Sequence, residues 1–221
     1  LIHDFNNVLL AIESSTQMLM AESLSTPASA LVKTVAAASE RARAICENVS
    51  AFLRNHQRTV ESVSLNQVLA ANERLLRAVA GPAARVKLSA GDDLRMTQGN
   101  VSELETVIFN LVVNAAQAAT VRSPKSITLR TRNVDDATGH WVQLAVEDNG
   151  AGMSPDVLAR CTELFFTTKR SGSGIGLALC KEVATRAGGD LRIESWAGRG
   201  TNVTLLLPFT RTASAVPPPS P

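Results

Sequence analysis

The sequence has few of the residues that cross-link small domains or anchor them in membranes. Its three cysteines, Cys46, Cys161 and Cys180, are widely spaced and odd in number. This argues against a disulfide framework or a zinc site and favours a reducing compartment. No uncharged apolar run reaches the roughly 18 residues of a transmembrane helix, and no signal peptide is evident. The net charge of +2 gives no strong attraction to nucleic acid or to a membrane. We therefore expect a cytoplasmic chain that contacts neither.

The length and composition fit a globular protein of one or two domains. The chain has 221 residues, and 45% of them are hydrophobic, which is enough for a real core in each domain. It starts inside a helical pattern at Leu1, without an initiator Met. We therefore expect a fragment of a longer protein, whose upstream segments could anchor it in a membrane.

Residues 1–58 predict two long helices. Ser25-Thr26-Pro27 separates them, and Pro27 suits the first turn of the second helix. A short turn between long helices favours an antiparallel hairpin. Two helices cannot bury both apolar stripes alone, so we expect a homodimer in which two hairpins form a four-helix bundle. The stripes are Ile2, Phe5, Leu9, Ile12, Thr16 and Leu19, and then Leu31, Val35, Ala38, Ala42, Ile45, Val49, Phe52 and Leu53.

His3 is the one histidine with chemically suggestive neighbours. Asp4 follows it, and Asn7 lies one helical turn away on the same face. A neutral imidazole is a good nucleophile toward phosphorus, an adjacent carboxylate can take its proton, and an amide can position a water. The alternative is a solvated histidine near a helix start, and these residues alone favour that alternative.

Residues 59–210 predict a second domain, after a polar linker at 57–62. Helices and strands alternate in it without an internal repeat, which favours one sheet with helices packed on a single face, an α/β sandwich. The whole chain is therefore of the α+β class. Residues 211–221 are Pro-rich and predict a linker or tail. We expect helices from 65 to about 79 and from an Asn100 cap to about 119, and strands at 85–88, 127–131, 141–147, 191–194 and 203–207.

Glycine is concentrated in one region, because nine of the thirteen glycines fall between Gly150 and Gly200. Asp148-Asn149-Gly150-Ala151-Gly152 follows a predicted strand, and Gly172-Ser173-Gly174-Ile175-Gly176-Leu177 opens a predicted helix. Glycines before a helix let backbone N–H groups approach an anion, and a carboxylate at a strand end can accept a hydrogen bond from a base or sugar. The pattern favours a nucleotide pocket closed by a lid over a set of ordinary turns.

Asn110 and Asn114 form a second polar pair, one turn apart on an apolar predicted helix. Unpaired amides are costly in such a place. An amide oxygen is a hard ligand that suits Mg²⁺, whose other ligands are commonly water and phosphate. Beside a phosphate loop we favour the metal interpretation over a pair of hydrogen-bonded core asparagines.

Taken in order, these motifs resemble those of the sensor histidine kinases of two-component signalling, over nearly the whole chain. Each motif is weak alone, but six at this spacing are specific. The matching segments are His3-Asp4-Phe5-Asn6-Asn7 (H box, in the form frequent in hybrid kinases), 103–118 (N box), 148–152 (G1 box), Phe165-Phe166-Thr167-Thr168-Lys169 (F box), 172–177 (G2 box) and Gly198-Arg199-Gly200-Thr201.

The resemblance implies a role for each matching residue. The H box implies that His3 accepts a phosphoryl group and that Asp4 takes the imidazole proton. It also implies that Asn7 orients a water, or the incoming aspartyl phosphate, for a reverse phosphatase activity. Asp148 would accept a hydrogen bond from the exocyclic amine of adenine, and Asn114 would coordinate Mg²⁺ with Asn110 nearby. Lys169 would reach the ATP phosphates, and Thr201 would lie near adenine. The remaining nucleotide-binding positions would be Gly150, Gly152, Gly172, Gly174, Gly176 and Leu177.

The family resemblance also implies a fold and partners. The fold is a dimeric helical hairpin joined to an ATP-binding sandwich of the Bergerat type. The partner is the receiver domain of a response regulator, separate or fused after the tail, whose aspartate takes the phosphoryl group. Many relatives carry a basic residue two or three positions after the metal asparagine, where this chain has Ala116 and Gln117. That phosphate contact of the family would have to come from Lys169 or Arg170.

Two other functions remain open. Chaperone, gyrase and mismatch-repair ATPases share this fold and activate water with a Glu four residues before the metal asparagine, where this chain has Asn110. That difference argues against efficient hydrolysis. A histidine phosphotransfer module with a degenerate nucleotide pocket is the other alternative, and the intact Asp148 argues against it.

Overall fold

A computed structural model describes residues 2–22, 25–54, 60–118, 124–137, 139–169 and 172–209 of the chain. The chain divides into two compact units, one comprising Leu1–Gln57 with Phe165–Ile175 and the other Arg58–Leu164 with Gly176–Pro221. The predicted tail at 211–221 lies outside the described residues, and so does the start of the predicted linker. In the described part, no helix is long and apolar enough to cross a membrane.

The first unit begins with two helices, α1 (Ile2–Met20) and α2 (Thr26–Arg54). They contact each other, and the Ser39 hydroxyl of α2 donates to the Leu9 carbonyl of α1 at 3.3 Å. Large apolar side chains remain exposed on both helices, among them Leu10, Met18 and Leu31. Such exposed surface is what a dimeric bundle needs, and the four-helix bundle itself stays a prediction.

Among its described residues, the second unit contains four helices and seven strands. The helices are α3 (Leu65–Ala80), α4 (Val101–Gln117), α5 (Pro155–Arg160) and α6 (Gly176–Arg186). The strands are β1 (Glu61–Val63), β2 (Ala84–Ser89), β3 (Thr97–Gly99), β4 (Lys125–Asp136), β5 (Gly139–Asp148), β6 (Asp190–Trp196) and β7 (Gly200–Pro208). Five strands form one sheet in the order β2-β4-β5-β7-β6, while β1 and β3 form a separate pair.

Local sequence signals explain where the long helices of this unit begin and end. The Asn100 side chain accepts from the Glu103 N–H at 3.2 Å and caps α4, as the capping pattern predicts. The Ser64 hydroxyl caps α3 in the same way, by accepting from the Gln67 N–H. Gly81 ends α3 with a positive φ of 82°, a conformation that glycine adopts without a side-chain clash.

The core lies between one face of the large sheet and a single layer of helices. The α4 helix contacts both α3 and α6, and it packs on β4 and β5. Side chains alternate along a strand, so every second residue of β4, β5 and β7 faces this layer. The register aligns these residues in rows, of which Leu129–Val146–Val203 and Thr131–Leu144–Leu205 are two, and all six side chains are buried.

Two features differ from the sequence-based expectation, and the direction of the strands is a third feature, which the sequence analysis did not predict. The predicted linker at 57–62 includes the first residues of a strand, because Glu61 pairs with Gly99 in the small sheet. The segment between Gly152 and Gly172, expected as a loop, contains the helix α5, whose N-terminus is capped by the Ser154 hydroxyl. The large sheet is mixed, because β2 runs parallel to β4 while the other pairs are antiparallel.

Leu144 provides a test of where the core lies. Its side chain is 0% exposed, so Leu144→Ala removes buried methyl groups and leaves a cavity, which costs about 2–5 kcal/mol in the free energy of unfolding. Leu75→Ala is the matched control, because Leu75 is 51% exposed on α3 and a surface change costs within ~0.5 kcal/mol. Urea denaturation of both variants measures the difference, and equal losses would contradict the assignment of the core.

Candidate functional site

Asp148 is the last residue of β5, and its side chain lies on the helix-facing side of the sheet. It pairs with Ile127 on β4 and Thr201 on β7, so it extends the buried rows of β5 by one position. The side chain is 9% exposed, and its Oδ1 accepts from the Gly150 N–H at 2.7 Å. A carboxylate therefore occupies a place that the strand pattern otherwise gives to apolar residues, and the following turn fixes its orientation.

Asn149 has a structural role beside this carboxylate. Its Oδ1 accepts from the Ser126 N–H at 2.8 Å, and its Nδ2 donates to the Pro124 carbonyl at 2.9 Å. The backbone N–H of Asn149 also donates to the Ser126 carbonyl. The asparagine thus attaches the turn after β5 to the start of β4, which keeps Asp148 at a defined position at the end of the sheet.

Gly152 lies where the β6–β7 hairpin packs against the turn that follows Asp148. Its φ is +65°, and a Cβ on it would overlap the Trp196 carbonyl oxygen, so both the conformation and the close approach require glycine. The Gly198 N–H donates to the Ala151 carbonyl at 2.6 Å. A second glycine, Gly200 (φ +108°), lets β7 pass against the Asp148 backbone in the same way.

Thr201 is 9% exposed, and its hydroxyl lies 2.9 Å from the hydroxyl of Ser195 on β6. Ser195 also accepts from the Met153 N–H at 2.9 Å and donates to the Gly200 carbonyl at 3.2 Å. Ser195 is a site residue that the sequence analysis missed, because the predicted strand stopped at Glu194. Its position two residues after Ile193, on the same face of β6, was the available signal.

A second cluster forms where α4 meets the start of α6. A Cβ built on Gly176 would lie 3.4 Å from Asn110 Oδ1 and 3.5 Å from Asn114 Nδ2. The first N–H groups of a helix have no acceptor within it, and the helix dipole makes this end positive. Two amide groups are therefore placed beside the positive end of α6. Leu177, the second residue of α6, is half-buried.

Cys180 lies where these two helices pack against each other. Its thiol is buried and lies 3.8 Å from the Val107 carbonyl of α4. Burial raises the pKa of the Cys180 thiol to about 12, so the group stays protonated at neutral pH and acts as a packing residue.

The two clusters lie at the same end of the second unit. The C-terminal turn of α4, one turn beyond Asn110, contacts β4 because Lys125 Nζ donates to the Ala116 carbonyl. The next residue, Ser126, is held by Asn149, and Ile127 pairs with Asp148. This chain of contacts leads from the asparagine pair to the carboxylate.

The segment Phe165–Ile175 groups with the first compact unit and has its own internal contacts. The Phe165 N–H donates to the Gly174 carbonyl at 2.9 Å and closes the segment. Within it, the Gly172 N–H donates to the Lys169 carbonyl at 3.2 Å, and the Lys169 N–H donates to Thr167 Oγ1 at 3.1 Å.

Within the second unit, the structure brings predicted site residues together in two groups. One group is Asp148, Gly150, Gly152 and Thr201; another is Asn110, Asn114, Gly176 and Leu177. Lys169, Gly172 and Gly174 lie in the segment that belongs to the first unit. The backbones of His3, Asp4 and Asn7 lie in α1, and their side chains are outside the described part of the chain.

Comparison with known proteins defines the class of this molecule. Residues 99–211 match the family of histidine kinase-, DNA gyrase B- and HSP90-like ATPases, and the chain belongs to this family. Two similar proteins indicate a narrower class within this family, the sensor kinases. The chain is 34% identical to the sensor kinase CckA of Brucella abortus over 220 residues, 93% of this chain and 23% of that protein. It is 29% identical to the signal transduction histidine-protein kinase AtoS of Escherichia coli, over 94% of this chain and 33% of that protein.

Solved structures share the fold. The full-length crystal structure of ShkA in complex with AMPPNP superposes with a TM-score of 0.72 at 20% identity, covering 97% of this chain and 46% of that one. These comparisons confirm the resemblance to the catalytic core of sensor histidine kinases of two-component signal transduction. The chain spans about a quarter to a third of the length of the curated relatives CckA and AtoS.

Gly152 and Gly198 give a matched test of the packing around Asp148. Both have a positive φ, +65° and +76°, but a Cβ on Gly198 would meet nothing within 4 Å. Gly198→Ala therefore reports only the conformational cost, which is about 1–2 kcal/mol. Gly152→Ala adds a backbone clash, and we expect it to lose clearly more free energy of unfolding in urea denaturation. Equal losses would show that the turn is not packed against the β6–β7 hairpin.

Proposed function

We propose that this chain binds ATP and transfers its γ-phosphoryl group to His3, from which it passes to an aspartate on a response-regulator receiver domain. The observation that carries the proposal is the buried Asp148 at the end of β5, at the same end of the unit as the asparagine pair and the start of α6. This arrangement offers an acceptor for a base and a positive helix end for phosphates. ShkA, which shares the fold, was solved with AMPPNP.

The nucleobase contact follows from the position of Asp148. Its Oδ1 is oriented by the Gly150 N–H, and an ionised carboxylate can only accept hydrogen bonds. A base that presents an exocyclic amine is the complementary partner, and adenine has such an amine. Thr201 lies opposite Asp148 in the register and belongs to the same contact region.

The phosphates of ATP would bind at the cluster formed by Asn110, Asn114 and the start of α6. The N–H groups of the first turn of α6 and the glycines of 172–176 would bind phosphate oxygens, and Lys169 would add a positive charge. The family's basic residue is missing at Ala116 and Gln117. The ammonium of Lys125 donates to the Ala116 carbonyl, so another cation lies beside this position.

The residues fit Mg²⁺, because Asn110 brings its amide oxygen, and Asn114 its amide group, beside the start of α6. Among the described residues, no group of three or more His, Cys, Asp and Glu side chains could hold a metal ion. Water and phosphate oxygens would therefore complete the coordination. When bound, the ion neutralises charge on the phosphates.

The phosphoryl acceptor would be neutral His3, which attacks phosphorus while Asp4 takes the imidazole proton. Asn7 would orient water in the reverse phosphatase reaction. A homodimer formed through α1 and α2 would bury the apolar side chains exposed there. Since His3 and Asp148 belong to different compact units, transfer requires the γ-phosphate bound by one unit to meet the imidazole carried by the other, and an upstream signal could act on that step.

Labelling with γ-labelled ATP and Mg²⁺ tests the transfer. We expect acid-labile, alkali-stable label on the wild-type chain and none on His3→Ala. His140→Ala is the control, because His140 is an exposed histidine on β5 and should keep full labelling. Free labelled phosphate without labelled protein would instead support an ATPase of the same fold.

Asp148→Asn tests the nucleobase contact. The amide keeps the shape of the side chain, but its NH₂ group opposes the adenine amine, so we expect ATP affinity to fall about 10- to 100-fold, the scale of a lost charge-assisted hydrogen bond. Asp190→Asn is the control: this carboxylate pairs with Lys181, which lowers its pKa, and it lies at the other end of β6. Isothermal titration calorimetry measures both, and unchanged affinity in Asp148→Asn would contradict the proposed pocket.

A further inference from the structure

Ser195 makes three hydrogen-bond contacts with one hydroxyl group. Its oxygen lies 2.9 Å from the Met153 backbone nitrogen, 3.2 Å from the Gly200 carbonyl oxygen and 2.9 Å from the Thr201 hydroxyl oxygen. A hydroxyl has one proton to donate and two lone pairs to accept with. The three contacts therefore use its full capacity.

The direction of each bond follows from this limit. The Met153 N–H can only donate, and the Gly200 carbonyl can only accept. If all three bonds form, the single proton of Ser195 goes to Gly200 and its second lone pair must take the proton of Thr201. Thr201 is thereby a donor toward Ser195 and has only lone pairs for any other neighbour.

Because Thr201 donates its proton to Ser195, the proposed nucleobase region presents hydrogen-bond acceptors. Thr201 pairs with Asp148 in the register of β5 and β7, and both side chains are buried. The carboxylate of Asp148 is an acceptor, and Thr201 has no proton left to give. Two acceptors therefore stand side by side at the end of the sheet.

We propose that Ser195 is a positioning residue that sets nucleobase selectivity by holding the proton of Thr201. A base whose facing edge carries an amine, as in adenine, satisfies two neighbouring acceptors, because the amine has two N–H groups. A base with a carbonyl at that place, as in guanine, brings a third acceptor and leaves buried lone pairs unpaired, which is costly. This inference rests on the proposed function, in which Asp148 meets the base.

The ratio of two dissociation constants tests the inference. ATP and GTP are titrated with Mg²⁺ into the whole 221-residue chain and into Ser195→Ala. Without the serine oxygen, the Thr201 proton is free to turn toward a guanine carbonyl. We expect the ratio of the GTP dissociation constant to the ATP dissociation constant to fall about tenfold. This factor corresponds to the lower part of the range of costs for leaving a buried polar group unpaired.

Two further variants separate this role from a structural one. Ser195→Thr keeps the hydroxyl and should keep the wild-type ratio. Ser62→Ala, at an exposed serine on β1, should change neither constant. A merely structural Ser195 would weaken both nucleotides equally in Ser195→Ala, and an unchanged ratio would overturn the inference.

Two other outcomes are also decisive. If circular dichroism shows that Ser195→Ala is unfolded, Ser195→Cys replaces it, since a thiol has similar shape but accepts hydrogen bonds weakly. The ratio should fall in that variant too, and an unchanged ratio there would equally overturn the inference. If the wild-type chain binds no ATP, the proposed function itself fails, whereas binding with an unaltered ratio removes only the role of Ser195.

Discussion

Asp148 and Thr201 face each other across two antiparallel strands, on the side of the sheet that packs against the helices. The alternation of side chains along β5 directs Val142, Leu144 and Val146 into the core and leaves Asp148 at the end of the same series. A carboxylate can occupy this position only if its hydrogen bonds are satisfied, and the turn at Gly150 supplies one of them. The candidate site is thus a polar position at the edge of the hydrophobic core, where the buried face of β5 ends.

The surrounding structure keeps this polar position in place. Asn149 ties the turn to β4, and the β6–β7 hairpin closes over it through Ser195 and Gly198. Glycine at 152 permits the close contact with the hairpin. On the helical side, α4 and α6 place two amides beside a positive helix end. Both halves of the site therefore depend on backbone contacts at one end of a single unit.

Sequence alone predicted the parts of the molecule with strong local signals. The Asn100 cap, the apolar periodicity of α4 and the alternation of β5 are local, and the structure confirms them. The β1–β3 pair was missed because three-residue strands distant in sequence leave no periodic pattern, and α5, with six residues, is too short for one. Ser195 was missed because its role depends on neighbours from two other segments. The H box was recognised by its motif, and its chemistry stays a proposal.

The central claim is that a nucleotide binds with its base at Asp148 and its phosphates at the start of α6. A crystal structure of the chain with a non-hydrolysable ATP analogue and Mg²⁺ tests it most directly. The account predicts that the adenine amine lies within hydrogen-bonding distance of Asp148, and that the phosphates lie beside Gly176 and the Asn110–Asn114 pair. An analogue bound with its base away from Asp148, or with its phosphates away from α6, would contradict it.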